Sequence, residues 1–281
     1  MPLLEQNEAM IRMTVFAGVF AIMAILEAIF PRKARTQARL HRWTTNWLLV
    51  VLNTALLRVA LPTLAVEMAI ISAENGWGIL NLISAPFWIE LIIAVLALDC
   101  LVYAQHVATH KIPVLWRLHK IHHADRDIDV TTGARFHPVE IILSMVFKLG
   151  CVVALGPSAA AVILFEVILN ACAMFNHSNV RLAPSLDRAL RLFIVTPDVH
   201  RVHHSVHQDE TDSNYGFFLT VWDRLFGTYR AQPRDGHDGM VIGLSEYQTE
   251  KPAHLVWSIL APLLPKKSAE DGMPTKSGVT S

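Results

Sequence analysis

The stretch from residue 99 to residue 123, DCLVYAQHVATHKIPVLWRLHKIHH, runs from apolar chain into two histidine clusters. Asp99, Tyr103, His106 and His110 recur at i, i+4, i+7 and i+11, the spacing of one stripe on a helix. The helix therefore carries its first histidine pair, HxxxH, to one end. A second cluster, His119-Lys-Ile-His122-His123, follows at once, and its spacing repeats at His200-Arg-Val-His203-His204. On a helix, HxxxH aims two rings at one point and HxxHH aims at least two. Neutral imidazole is the commonest protein metal ligand, so three such clusters in one chain point to a metal site.

The apolar side of that stretch sets the fold class. The chain has 281 residues, 53% hydrophobic and 17% charged, with a formal net charge of zero. Soluble domains carry about 25% charged residues, so the composition is that of a membrane protein. Balanced charge and the lack of a sustained basic patch argue against a nucleic-acid partner. Cys100, Cys151 and Cys172 lie in apolar stretches without a CxxC, which predicts reduced, buried thiols rather than disulfides or a thiolate metal site.

Working outward, residues 11–30 are long enough to span a bilayer. No basic segment precedes them and Pro-Arg-Lys follows, so they read as a span rather than a signal peptide; Glu27 within them has no evident reason. Arg32, Lys33, Arg35, Arg39 and Arg42 form the next loop, which the positive-inside rule puts in the cytoplasm, with the N-terminus outside. A second span is expected over 47–69, with Arg58 and Pro62 facing the bundle or near an interface. The loop 74–81 lacks Lys and Arg, which suits the outer side, and a third span over 82–102 returns to the cytoplasm.

Asp125 to Thr132 reads as a polar loop or helix end. Residues 139–175 read as two spans joined at Gly156-Pro157, or as a shallow re-entrant hairpin; either form starts and ends on one side. Residues 252–265 are too short to cross and suit the interface. The expected architecture is thus all-α: an integral membrane bundle of four to five transmembrane helices with a cytosolic helical cap holding a histidine-rich dimetal site. A single domain over 1–265, with its histidine core at 99–229, precedes a disordered tail at 266–281. All three clusters then fall on one membrane face.

The clusters hold eight histidines, and His137 and His177 lie between them. One tetrahedral zinc takes four ligands, so eight or more rings suit two ions. The chain has neither the Glu-x-x-His pairs of soluble di-iron bundles nor an HExxH zinc-protease motif. Two irons with open positions for dioxygen would suit oxidation of an unactivated C–H bond, though zinc also accepts imidazole. A metal-binding transporter, a zinc-dependent lipid hydrolase or isomerase, and a bis-histidine haem protein are the competing readings. Transport would need polar ligands near the bilayer midplane, whereas these histidines lie beyond helix ends.

The pattern resembles the fatty acid hydroxylase superfamily, also called the sterol desaturase family. It is carried by HxxxH, HxxHH and HxxHH together with residues 116–123 (WRLHKIHH), 135–140 (RFHPVE), 175–179 (FNHSN), 196–205 (TPDVHRVHHS), 214–216 (NYG) and 222–229 (WDRLFGTY). The resemblance implies a membrane-bound, non-haem di-iron oxidoreductase that uses O2 to hydroxylate or desaturate a lipid of sterol, fatty acyl or alkylglycerol type. It implies metal ligands at His106, His110, His119, His122, His123, His200, His203 and His204. Some members place a second HxxxH before the last box; here that region offers His177 alone, expected as a ninth ligand, while His137 suits a helix start. Asp99, Asp127, Asp129, Glu140, Asp198 and Asp223 are candidate partners for the outer nitrogens of the ligands. The sequence shows no flavin-type GxGxxG after a strand and no CxxC, so electrons are expected from a separate electron-transfer protein, with a bacterial inner membrane as the expected setting.

Overall fold

The computed structural model describes residues 7–264, so the tail expected to be disordered lies outside the described residues. Among them there is no β-strand, only isolated bridges such as Pro31 with Val180. The helices are α1 (Glu8–Ile29), α2 (Arg39–Ala60), α3 (Ala65–Glu74), α4 (Phe87–Lys111), α5 (Pro113–His123), α6 (Pro138–Leu155) and α7 (Ala159–His177). The shorter α8 (Pro184–Leu190), α9 (Pro197–His203), α10 (Gln208–Thr211), α11 (Val221–Leu225), α12 (Gly236–Gly239) and α13 (Leu255–Leu260) follow. Five segments are long and apolar enough to cross a membrane: α1, Arg39–Leu82, α4, α6 and α7. Their outer faces expose large apolar side chains, among them Ile22, Ile25, Val51, Trp88, Ile92 and Val146, as a lipid-facing belt requires.

Two span boundaries differ from expectation. The second span is not one helix over 47–69: α2 begins at Arg39 and stops at Ala60, and the chain restarts as α3 at Ala65. Pro62 explains the break, since it lacks the N–H a helix interior needs. Arg58 is exposed in the last turn of α2. The third span begins at Phe87, after Pro86, not at residue 82, and runs unbroken to Lys111. Residues 138–177 form two helices joined at Gly156, which sits at φ 66. Ser158 caps α7 by accepting a hydrogen bond from the Ala161 N–H at 3.2 Å.

The bundle has two distinct ends. At one, the 74–86 connection meets the α6–α7 turn: a Cβ on Gly78 would stand 2.2 Å from the Gly156 nitrogen, so only glycine allows this approach. Glu90 accepts from the Ser158 N–H at 2.9 Å at the same end. Nearby, Ala65, Val66, Ala69, Val152, Val162 and Ile163 of α3, α6 and α7 pack together. At the other end, the loop after α1 meets the chain after α7: the Arg32 N–H donates to the Asn179 carbonyl and the Arg181 N–H to that of Phe30, each at 2.8 Å. The C-termini of α4 and α7 and the whole cap share this end.

Glu27, unexplained from sequence, is fully buried there and accepts from the Val130 and Asn179 N–H groups, each at 3.1 Å. It ties α1 to the cap. Arg42, counted above as a loop charge, is instead a buried residue of α2. Its guanidinium grips Asp125 with two bonds of 2.7 Å and Asp129 with one of 2.7 Å. The expected polar loop at 125–132 is therefore a buried, ion-paired connection. Arg135, also buried, bonds the Ile121 and Pro252 carbonyls and Asn46. The chain over 252–264 forms only the six-residue α13 between short 3-10 turns and folds back on the cap, where the Pro262 carbonyl accepts from Arg117 at 2.8 Å. The three cysteines are free.

Candidate metal centre

Helix starts place the histidines. Pro113 at the first position of α5 interrupts the chain just after α4, so α5 turns back across the end of α4. Thr196 caps α9 and Pro197 opens it, which fixes the register of His200, His203 and His204. All nine histidines named above as ligands converge, in two groups. His106, His110, His119, His123 and His203 form one; His122, His177, His200 and His204 form the other. Within each, one nitrogen per residue lies within 4.8 Å of every other, and all nine residues are buried. Neighbouring histidines part company: in α5, His119 and His123 serve the first group and His122 the second; in the third cluster, His200 and His204 serve the second and His203 the first.

The outer nitrogens are held by backbone. His106 Nδ1 donates to the Tyr215 carbonyl and His203 Nδ1 to that of Ser213, both at 2.7 Å. His177 Nδ1 donates to the Ala173 carbonyl at 2.7 Å and His122 Nδ1 to that of Arg135 at 3.3 Å. Asn214, at φ 50, shapes the turn that presents the Tyr215 carbonyl. A carbonyl only accepts, so each Nδ1 carries the proton and each Nε2 of a neutral ring carries a lone pair. Yet His106 Nε2 and His203 Nε2 stand 3.1 Å apart, and so do His122 Nε2 and His177 Nε2. Two lone pairs facing at that distance have no proton to share. His119 Nε2 and both ring nitrogens of His110, His123 and His204 are buried without a partner. A cation in each group would take one nitrogen of every ring and relieve the facing lone pairs, so the donor set fits two metal ions. Burial, and then the neighbouring imidazoles, push His122, His123, His200 and His204 well below the ordinary histidine range. Burial takes His203 to about 3, although the Ser213 carbonyl opposes it. Neutral rings are the form that ligates metal.

Of the six carboxylates proposed as partners, Glu140 alone bonds a histidine of the groups: its Oε1 lies 2.6 Å from His119 Nδ1. Asp99 accepts from Trp222 Nε1, Asp127 from the Thr36 and Gln37 N–H groups, and Asp223 from those of Tyr215 and Gly216. Asp129 binds Arg42, and Asp198 binds Arg32 and Arg201. His137 lies outside both groups; it caps α6 and meets the Ile259 carbonyl at 3.1 Å. His41 and His254 pack edge to face, and His207 pairs with Asp235. Sequence reasoning missed the four carbonyls, Phe136, whose ring stacks 4.7 Å from His122, and Asp212, 3.6 Å from His110. Trp222 and Phe226 join the cap to α4, Phe226 stacking on Tyr103 at 5.4 Å.

A cavity of about 340 Å³ lies among α1, α2, α4, α6 and α7 and reaches His106 and His119. A second of about 230 Å³ shares Gln105, Thr109, Glu140 and Ser144 with it and extends to Leu143 and Phe147, which are exposed on the outer face of α6. The two cavities thus adjoin at a polar seam, with the first against the histidines and the second toward the outer face of α6.

The model of the family "Fatty acid hydroxylase" matches residues 91–228. Alkylglycerol monooxygenase of Homo sapiens is 31% identical over 155 residues, 54% of this chain and 32% of that protein. Ornithine lipid hydroxylase OlsE of Rhizobium tropici is 27% identical over 149 residues, 53% of this chain and 44% of that one. Lathosterol oxidase of Mus musculus is 30% identical over 155 residues, 51% and 47%. The chain thus spans less than half the length of these curated relatives. No solved structure matches it. The matched region, residues 91–228, contains every histidine of both groups and belongs to the fatty acid hydroxylase family.

Proposed function

We propose that this chain is a membrane-bound lipid oxygenase that inserts oxygen from O2 into a C–H bond, or desaturates there, at a centre of two iron ions. The observation that carries the reading is the pair of facing, proton-free Nε2 atoms in each group, 3.1 Å apart in both. His106, His110, His119, His123 and His203 would hold one ion, and His122, His177, His200 and His204 the other. When bound, the irons would supply O2 activation.

The chain's own residues do the rest. The backbone carbonyls fix ring orientation and tautomer, and Glu140 does so for His119. Trp116 covers His110 at 5.0 Å and Phe136 covers His122, so water is kept from the rings. The cavity presents one segment of a lipid to the side of the centre bordered by His106 and His119, with lateral access along α6. Reduction of the second oxygen atom to water consumes electrons that the lipid does not supply. A separate electron-transfer protein would deliver them at the cap. Arg32, Lys33 and Arg35 lie at the cap end, which supports a cytoplasmic placement of the site. The relatives' printed names involve alkylglycerol, ornithine lipid and lathosterol, which supports a lipid of sterol, fatty acyl or alkylglycerol type as substrate.

The test is elemental analysis of detergent-purified protein beside His122→Ala/His123→Ala, followed by incubation with reductant and membrane lipid under air and under argon. About two irons per chain, as the two groups imply, lost in the variant, with oxidised lipid under air alone, is the expected result. Failure to hold stoichiometric metal even after iron reconstitution, or turnover under argon, overturns the reading.

A further inference from the structure

The wall of the cavity beside the histidines is not uniformly apolar. Phe16, Leu57 and Leu169 share it with Asn53, Gln105, Ser144, Asn170 and Glu140. Some of these polar groups are satisfied within the protein. Gln105 donates to the Ser144 hydroxyl at 2.7 Å, and Asn170 Nδ2 to the Glu166 carbonyl at 2.8 Å. Two atoms are not. Asn53, 6% exposed, spends its Nδ2 on the Phe136 carbonyl at 3.0 Å, and its Oδ1 has no partner. Glu140, also 6% exposed, spends Oε1 on His119, and its Oε2 has no partner. The Phe136 carbonyl can only accept, so the orientation of the Asn53 amide is fixed and its oxygen is the atom left over. Both unpartnered atoms are acceptors, both residues line the same cavity, and buried acceptors of this kind call for a donor.

Asn53 shares the cavity wall with His106 and His119 and is linked to the histidines through Phe136. Phe136, whose carbonyl holds the Asn53 amide, stacks its ring 4.7 Å from His122 and 6.1 Å from His119. A hydrocarbon segment in this space would leave both acceptors dry and unpaired. A site with unpaired polar groups discriminates strongly against ligands that lack the matching group.

We propose that the cavity selects a lipid with a hydrogen-bond donor, a hydroxyl or an amide N–H, near the carbon to be oxidised, and that Asn53 reads that donor. This deepens the oxygenase reading and rests on its assignment of the cavity to substrate. Asn53 is a specificity residue; the oxidation itself needs none of its atoms.

The test measures binding to the metal-loaded protein in detergent under argon, without reductant, so no turnover is required. Three pairs of probes are compared: 1-O-hexadecylglycerol and its di-O-methyl ether, cholesterol and its methyl ether, and an N-hexadecanoyl amino acid ester and its N-methyl form. At least one donor lipid should bind about tenfold more tightly than its capped partner, the scale of one buried hydrogen bond. In Asn53→Leu the preference should fall to about twofold or less. The pair that shows it distinguishes O–H from N–H recognition. Equal binding within every pair in the wild type overturns the proposal, as does a preference that survives Asn53→Leu. Asn53→Ala serves the same comparison should the leucine variant lose metal. Oxidation of lipids without donor preference would sink this inference and leave the oxygenase reading standing; donor-selective binding without O2-dependent turnover would do the reverse.

Discussion

Replacing Arg42 by Met tests whether the buried loop after α5 holds the histidine groups together. The side chains of Arg42, Asp125 and Asp129 are no more than 2% exposed. Methionine keeps the length of the stem and removes the charge. Asp125 then loses both guanidinium bonds and keeps only the Thr132 hydroxyl at 2.8 Å. Asp129 loses one bond and keeps Trp43 Nε1 at 3.0 Å and the Thr131 N–H at 2.9 Å. Removing one partner of a buried pair costs about 3–5 kcal/mol. Burial alone would raise the Asp125 carboxyl, and the Arg42 guanidinium overrides it to hold the group at about 2. Without Arg42 the acid can take up a proton, which limits the damage. We therefore expect the lower end, about 3 kcal/mol or roughly 150-fold in loop opening. Hydrogen exchange over residues 124–135 reads that opening, and elemental analysis reads the metal content expected of the proposed ligands His122 and His123 at the head of the loop. Faster exchange with lowered metal content is expected, partly restored by adding Asp125→Asn and Asp129→Asn. Exchange and metal content within twofold of wild type would refute the reasoning.

Other expectations follow from the same geometry. Glu140→Ala should weaken metal retention about 10–100-fold in a chelator competition, because it removes the group that orients His119, and Glu140→Gln should weaken it less; equal retention in all three proteins would count against that role. Burial holds His122, His123, His200, His203 and His204 below their ordinary value, His203 at about 3. The folded state thus resists protonation that the unfolded chain accepts near pH ~6.5. Their contribution to stability is complete above that pH and is lost as pH falls below it, for His203 down to about 3. Chelator-stripped protein in detergent should lose melting temperature steeply from pH 7 to 5, and a flat profile would contradict it.

What was legible in the sequence was what depends on local geometry. HxxxH and HxxHH betray themselves because helix pitch alone brings their rings to one face, and residues 11–30 declare a span by length. Convergence of the clusters was inferred from charge bias, yet His177 joins through α7, a helix distant in sequence. Glu27 looked anomalous because its partners, Val130 and Asn179, are more than a hundred residues away. Arg42 counted as a loop charge because nothing nearby marks Asp125 as its mate. The orienting groups were least visible of all: carbonyls belong to every residue, so no side-chain pattern picks out Tyr215, Ser213, Ala173 or Arg135. Asn53 gave no signal, as its meaning comes from a cavity built by five helices.

The division of adjacent histidines between the two groups has a consequence for how the site is assembled and lost. His122 and His123 are one residue apart on a rigid turn, and so are His203 and His204, so each box is a stitch through both halves. Each half has one anchor of its own, His106 and His110 on α4 for one and His177 on α7 for the other, but both depend on the shared α5 and α9. Unwinding α5 or α9 by a single turn would dismantle both together, and one inserted residue would turn the rings downstream in that box out of register with both groups. The centre is therefore an all-or-none construction, in which the main-chain helix acts as the gauge block that keeps its two halves in step.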